Sequence, residues 1–303
     1  MNALEIGTLA DLIGRIGTET LFSGMDATLR RIAPFDLSVI FGFPYDNRPM
    51  LLHDGYGSHA TPTALQAYLG GAYLLDPFYT ACVEGRAPGL WRMRELAPDQ
   101  FFASDFYSAS EVHPCVSLEP GSLVEEIGFL VPLPAGFTAA YSLMRMRGCR
   151  PFDGAEMRAL RAVEPVVRET LRSHWRVLEP APSPRDAGTA NTSERLDGMM
   201  EAAFETFCDD RLTYQQRRVV QLILRGHSNV SIGQQIGVAE GTVKIHRKNV
   251  YRRLGISSQS ELFGLFVHDL LRDLNADRAR SGVCYPNPRR RAARARARCR
   301  AIG

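Results

Sequence analysis

The stretch SNVSIGQQIGVAEGTVKIHRKNVYRRLG, Ser228 to Gly255, decides how the C-terminal part of the chain is read. Val243, Val250 and Leu254 fall at i, i+7 and i+11, so a helix over this run places them on one face. At about 100° per residue the opposite arc holds Gly241, Lys244, Ile245, Lys248, Asn249 and Arg252. That arc carries three positive charges, one amide, one apolar tip and no carboxylate. The preceding short helix is expected to bury Val230, Ile232 and Ile236, with Val238 closing the turn. Gly233 leaves room for the two helices to approach, and Gly237 permits a positive φ at the turn. Upstream, Thr213 and Gln216 have capping-box spacing for a helix from Tyr214 to Arg225, which Gly226 ends. Gly255 stops the basic helix, and Ser258 to Leu274 supplies a fourth, with Leu262, Leu265, Phe266 and Leu270 on one side. Helices so arranged present a basic helix outward for a DNA major groove. A small helical bundle with a merely solvated basic face is the plainer reading, and a module that binds only protein is a third.

Over about 55 residues without gaps, this region resembles the LuxR/NarL/FixJ family of bacterial transcription regulators. The matching residues are Leu212-Thr213, Gly226, Asn229, Ile232, Gly237, Thr242-Val243-Lys244, His246, Val250 and Leu254-Gly255. Ala239 stands where the family usually has a Ser that caps the basic helix, and Gln216 where it usually has Glu. The missing cap costs about 1 kcal/mol, which Glu240 offsets in part through the helix dipole. The resemblance implies a four-helix helix-turn-helix domain over residues 209–275. It implies base contacts from Lys244, Ile245 and Lys248, and phosphate contacts from Thr242, His246, Arg247 and Arg252. It also implies a homodimer on an inverted-repeat, double-stranded DNA operator, with RNA polymerase as a further partner.

The charge distribution agrees. Formal net charge is +3 over 303 residues. Residues 1–178 hold 15 Arg and 20 Asp+Glu, a net of −5. Residues 179–303 hold 21 Lys+Arg and 13 Asp+Glu, a net of +8, so the half with the basic helix suits a polyanion. The six cysteines have no CxxC spacing and form no Cys/His cluster, so neither metal nor cofactor is expected. The opening residues lack a basic region followed by an apolar run, and no 18-residue apolar segment follows. A cytoplasmic, nucleoid-associated protein without a membrane partner is the expectation. The chain has no GxxxxGK[ST], GxSxG or HEXXH, and no Lys in residues 1–178 for a receiver site. An enzyme is not expected.

Glu179 to Ser193, EPAPSPRDAGTANTS, reads as a flexible linker. Residues 194–208 carry Leu196, Met199, Met200, Ala203, Phe204 and Phe207 on one stripe, an amphipathic helix that either packs as core or relays a signal. The tail, 276–303, includes RRRAARARARCR, Arg289 to Arg300, with seven Arg. It reads as disordered, and as either a solvated charge run or an added phosphate contact.

Residues 1–178 read as an α/β sensor domain, giving an α+β chain overall. Expected elements are a helix over Thr8–Ile32, strands over Leu37–Phe43 and Met50–His53, and a helical stretch Thr61–Glu84 interrupted near Asp76-Pro77. A helix over Asp99–Ser110, strands over Ile127–Leu133 and Thr138–Arg145, and a closing helix N-capped by Asp153 follow. A mixed sheet flanked by helices, of PAS-like or GAF-like pattern, accommodates them. The segment AYLGGAYLLDPFY followed by LW resembles, more weakly, the autoinducer-binding domain of LuxR-type quorum receptors: Asp76 and Trp91 keep that family's fifteen-residue separation. Tyr68 lies eight residues before the Asp rather than nine, and Ala64 replaces the family's lactone-holding Trp. Tyr68, Tyr73, Asp76 and Trp91 are the candidate ligand residues, with Phe101 and Phe106 as further aromatic wall. The plainer alternative makes the aromatics core and Asp76 a cap. Two roles stay open for this domain: a small-molecule sensor, and a protein-binding or dimerising block.

Overall fold

The computed structural model describes residues 3–44, 49–57, 62–108, 123–134, 136–178 and 211–269. The linker 179–193, the amphipathic segment 194–208 and the tail 276–303 lie outside the described residues. The front part runs α1 (Ala3–Gly14), α2 (Leu21–Ile32), β1 (Leu37–Pro44), β2 (Met50–Gly55), α3 (Pro62–Gly70), the 3-10 turn η1 (Ala72–Leu75), α4 (Pro77–Val83) and β3 (Gly89–Arg92). It continues through α5 (Met93–Leu96), η2 (Phe101–Ala103), α6 (Asp105–Ser108), β4 (Leu123–Leu133), β5 (Phe137–Met146) and α7 (Gly154–Leu178). The C-terminal part holds α8 (Tyr214–Leu224), α9 (Asn229–Ile236), α10 (Glu240–Leu254) and α11, described over 259–269.

Among the described residues the sheet has five strands in the order β2-β1-β5-β4-β3, and every pair is antiparallel. The expected mixed sheet is thus corrected: β1 returns to lie against β5, with Leu37 opposite Met144 and Pro44 opposite Phe137. Period-2 alternation sorts the side chains. Leu37, Val39, Phe41, Phe43, Leu130, Ala140 and Met144 join the core under η1 and α4. Ile40, Ile127, Phe129, Val131, Ala139, Tyr141 and Leu143 join the core under α2 and α7. Both faces are covered, which is why β1 and β5 read as near-continuous apolar runs rather than as alternating ones. Each large side chain so buried contributes roughly 1.5–3 kcal/mol of transfer free energy.

Two other expectations need correction, and one strand was not expected. The single helix over Thr8–Ile32 is two, broken at Gly17, whose φ is +81° and whose amide donates to His174 Nδ1 at 3.0 Å. The positive φ favours glycine, and a Cβ there would lie 2.8 Å from Cγ1 of the exposed Val177 side chain of α7, which would have to move. The helix over Asp99–Ser110 is the short η2 followed by the four-residue α6. Strand β3, with Leu90 buried and Trp91 half-buried, had no strand-like signal beside Gly89 and Pro88.

One polar island interrupts the core under α2. Asp26 accepts hydrogen bonds from Ser38 Oγ at 2.6 Å, Tyr141 Oη at 2.5 Å and His53 Nε2 at 3.1 Å. Burial alone would raise its pKa, yet His53, Ser38 and Tyr141 together hold the carboxyl below its usual range. This is not a nucleophilic triad. His53 uses the same nitrogen toward Asp26 and Ser38, and Ser38 is fully buried.

Candidate functional site

The C-terminal helices are set by local chemistry. Thr213 and Gln216 form the reciprocal capping box at the start of α8, with Thr213 N to Gln216 Oε1 at 3.1 Å and Gln216 N to Thr213 Oγ1 at 3.4 Å. Ser228 caps α9 by accepting from Ser231 N at 3.1 Å. Gly237 ends α9 in the left-handed region at φ +73°. A Cβ on Gly233 would stand 2.7 Å from the Val238 carbonyl oxygen, so the turn closes onto α9 only because that residue is glycine. Ala239 has capping geometry, φ −67° and ψ 150°, without a side-chain bond.

On α10, Val243 and Val250 are fully buried against the other helices. Lys244, Ile245, Lys248 and Arg252 are exposed, Ile245 at 60%, and Thr242 and His246 are half-buried. The chain's two lysines are these two, both on the open face of α10. Lys244 Nζ pairs with Glu240 Oε1 one turn earlier at 2.7 Å, and Arg252 donates to Asn249 Oδ1 at 3.0 Å. Arg247 folds inward: it donates to Asn229 Oδ1 at 3.3 Å, Gln259 Oε1 at 3.1 Å and Tyr251 Oη at 3.2 Å. It therefore ties α9, α10 and α11 together. Val230, expected in the core, is 52% exposed and corrects that reading; Ile232 takes the buried position and Ile236 is half-buried.

In the front domain a small cavity of about 10 Å³ lies against the sheet, room for about one water. Val39, Phe41 and Phe43 of β1, Tyr56, Tyr68, Phe78 and Ala140 line it, with Asp76, Glu126 and Ser142 as its polar wall. Asp76 caps α4: Tyr68 Oη donates to Asp76 Oδ2 at 2.6 Å and Phe78 N to Asp76 Oδ1 at 2.7 Å. Burial raises its pKa to about 6, against the pull of those donors. Of the sequence candidates, then, Tyr68 and Asp76 meet at the cavity and bond to each other. Tyr73 does not border it; its ring packs edge-on to Tyr79 at 4.8 Å. Trp91 does not border it either: its indole N–H donates to the Ala87 carbonyl at 3.0 Å under the Arg86 guanidinium. The side chain of Phe106 lies outside the described residues. Glu126, which sequence reasoning missed, reaches the cavity because it is one residue out of phase with Glu125. Glu125 turns to the other face, where Arg92, Arg94 and the Phe152 amide bond it.

A second unforeseen feature is the contact between the two halves. The α8–α9 turn sits on η2: Gln100 N donates to the Gly226 carbonyl at 2.8 Å, and Ser228 N donates to Asp99 Oδ1 at 2.9 Å. Arg225 Nε donates to the Leu74 carbonyl at 3.3 Å, and Ser260 Oγ of α11 to Asp105 Oδ1 at 3.2 Å. Gly226, at φ +89°, comes so close that a Cβ would lie 2.5 Å from Phe101 Cα. Phe101, expected as pocket wall, is buried beside this contact. His227 is half-buried here, and burial with the Arg225 charge lowers its pKa to about 4 despite Asp99.

Residues 210–266 match the family model described as bacterial regulatory proteins, luxR family. A putative HTH-type transcriptional regulator in the exeN 3′ region of Aeromonas salmonicida is 30% identical over 199 residues, covering 65% of this chain and 95% of that protein. The transcriptional regulatory protein MctR of Rhizobium johnstonii is 35% identical over 75 residues, 25% of this chain and 35% of MctR. Among solved structures, the VqsR LBD domain from Pseudomonas aeruginosa aligns at 22% identity and TM-score 0.49, over 58% of this chain and all but 1% of its own. SdiA from Escherichia coli aligns at 15% identity and TM-score 0.35, over 86% of this chain and 95% of its own.

Proposed function

The chain belongs to the luxR family of bacterial regulatory proteins, and we propose that it works as a homodimer on an inverted-repeat operator, one half-site per α10. It is a LuxR-type, DNA-binding transcriptional regulator and not an enzyme. The observation that carries the finer reading is the open face of α10, where Lys244, Ile245 and Lys248 stand exposed on a helix whose opposite face is buried. Lys244 and Lys248 donate to base-edge acceptors in the major groove, and Ile245 takes apolar contact there. Thr242, His246 and Arg252 grip phosphates from the flanks. Arg247 holds the helices together and reaches phosphate only from within that network. The protein acts in the cytoplasm, on the nucleoid, beside RNA polymerase.

Binding-site selection with the full chain, followed by titration of wild type and Lys248→Ala on the selected and scrambled duplexes, tests this reading. Loss of a base contact lowers specific binding by about 1–3 kcal/mol. An unchanged ratio of specific to non-specific affinity removes Lys248 from base reading.

The front domain responds to a small molecule that takes Asp76 from Tyr68. A cavity of about 10 Å³ means that such a ligand opens its own space rather than entering a preformed one. That small volume also supports the other role, in which a filled front domain serves dimerisation or a protein partner. Thermal unfolding of the full chain against acyl-homoserine lactones, amines and aromatic acids separates the two. Saturation at 100 times the dissociation constant adds about 2.7 kcal/mol, and no shift across the panel favours the second role.

A further inference from the structure

We propose that Asp99 occupies a DNA phosphate site: its carboxylate sits on the N-terminal amide of α9, where a backbone phosphate sits when the module grips DNA, so front-domain docking and DNA binding exclude each other. The inference rests on the DNA-binding reading above.

The first helix of a helix-turn-helix crosses the phosphate backbone, and helix N-termini are among the groups that bond phosphate oxygens. In this chain that helix is α9, and its N-terminus already holds an anion from 129 residues away in the sequence: Ser228 N donates to Asp99 Oδ1 at 2.9 Å. Burial alone would raise the Asp99 pKa, but the Ser228 hydroxyl and amide, with His227 nearby, hold it below the usual carboxylate range. The next residue, Asn229, accepts from the Arg247 guanidinium at 3.3 Å, so a positive side chain borders the same helix end. An amide, a hydroxyl and a helix dipole meet the carboxylate there, and a guanidinium is held at the next residue; these are the groups that bind a phosphate.

The docking is built on both sides. Gln100 N bonds the Gly226 carbonyl, Arg225 bonds the Leu74 carbonyl, and Asp105 receives Ser260 from the start of α11. Meanwhile Lys244, Ile245 and Lys248 remain exposed. The front domain therefore intercepts the phosphate grip and leaves the base-reading face open. A carboxylate and a phosphate cannot share one amide, and their like charges repel across it.

The test uses the full chain and a mixed-sequence duplex of about 30 bp, three helical turns, at fixed low salt, since phosphate contacts do not depend on sequence. Asp99 is exposed, so Asp99→Ala leaves the fold intact. Glu169→Gln removes the same charge from α7, on the far face of the sheet, and controls for net charge. Asp99→Ala should bind on the order of fivefold tighter than Glu169→Gln, the low end of coupling between two sites. In hydrogen exchange, residues 98–104 of the wild type should lose protection when DNA is added. Equal affinities for the two variants, or protection of 98–104 retained in the DNA complex, overturns the competition alone. Failure of wild type and both variants to bind any duplex overturns it together with the DNA-binding reading.

Discussion

Burial sets the Asp76 carboxyl at about 6, well above its ordinary range, although Tyr68 and Phe78 both donate to it. An unfolded-chain Asp ionises near 3.9, so between these values the folded state holds more protons than the unfolded one. Stability due to this group is thus full below about pH 4, falls as pH rises to about 6, and stays lower above, by roughly 3 kcal/mol. Asp76→Asn keeps an acceptor for the α4 cap and removes the titration. Urea unfolding of both forms should therefore show the variant gaining roughly 3 kcal/mol on wild type between pH 4 and pH 7; parallel profiles would mean that Asp76 titrates like an exposed acid. Asp76 stood out in the sequence through the resemblance to the autoinducer-binding domain, carried by its fifteen-residue separation from Trp91, with Tyr68 eight residues before it. The sequence could not mark Glu126, since nothing local says which of two adjacent glutamates faces a cavity and which faces Arg92 and Arg94.

The recognition helix shows what one missing hydroxyl does to an element. Ala239 sits at φ −67° and ψ 150°, the backbone of a capping residue, and offers no side-chain acceptor to the first turn of α10. Ala239→Ser needs no backbone change and supplies that acceptor, worth about 1 kcal/mol. Amide exchange in the first turn of α10 should slow about fivefold on that account, read by NMR; Ala239→Val, with no oxygen, should give no slowing, and equal rates for both would remove the cap explanation. Elements of this kind were legible in the sequence because their causes lie within four residues of one another, as in Thr213 with Gln216. The sheet was less so. Its central pairing joins Leu37 to Met144, and at the α1–α2 break the Gly17 amide donates to His174, so the deciding neighbours are more than a hundred residues distant. The strands were expected nearly in place; their all-antiparallel order and the edge strand β3 were not.

At the scale of the whole molecule, the docking joins the front domain to the DNA module through backbone and side-chain hydrogen bonds. Arg225 bonds the Leu74 carbonyl in η1, the turn that leads directly into Asp76, so the ligand proposed to draw Asp76 from Tyr68 would act two residues from the DNA module's attachment. Gly226 is where this arrangement can be broken with least collateral change. Gly226→Ala and Gly255→Ala both place a Cβ at positive φ at the end of a helix, and each costs about 1–2 kcal/mol of local strain for that reason. They differ in surroundings: a Cβ at 255 meets nothing within 4 Å, whereas at 226 it would lie 2.5 Å from Phe101 Cα and 2.8 Å from its amide nitrogen. Backbone cannot yield as a flexible side chain can, so the variant relieves the overlap by separating the α8–α9 turn from η2. Small-angle scattering should show a larger radius of gyration for Gly226→Ala than for wild type, with Gly255→Ala unchanged, and exchange at 98–104 should rise in the first variant only. If both variants keep the wild-type radius and the wild-type protection of η2, the two halves are not held together through Gly226, and the route from Asp76 to the DNA module by way of Leu74 and Arg225 fails with it.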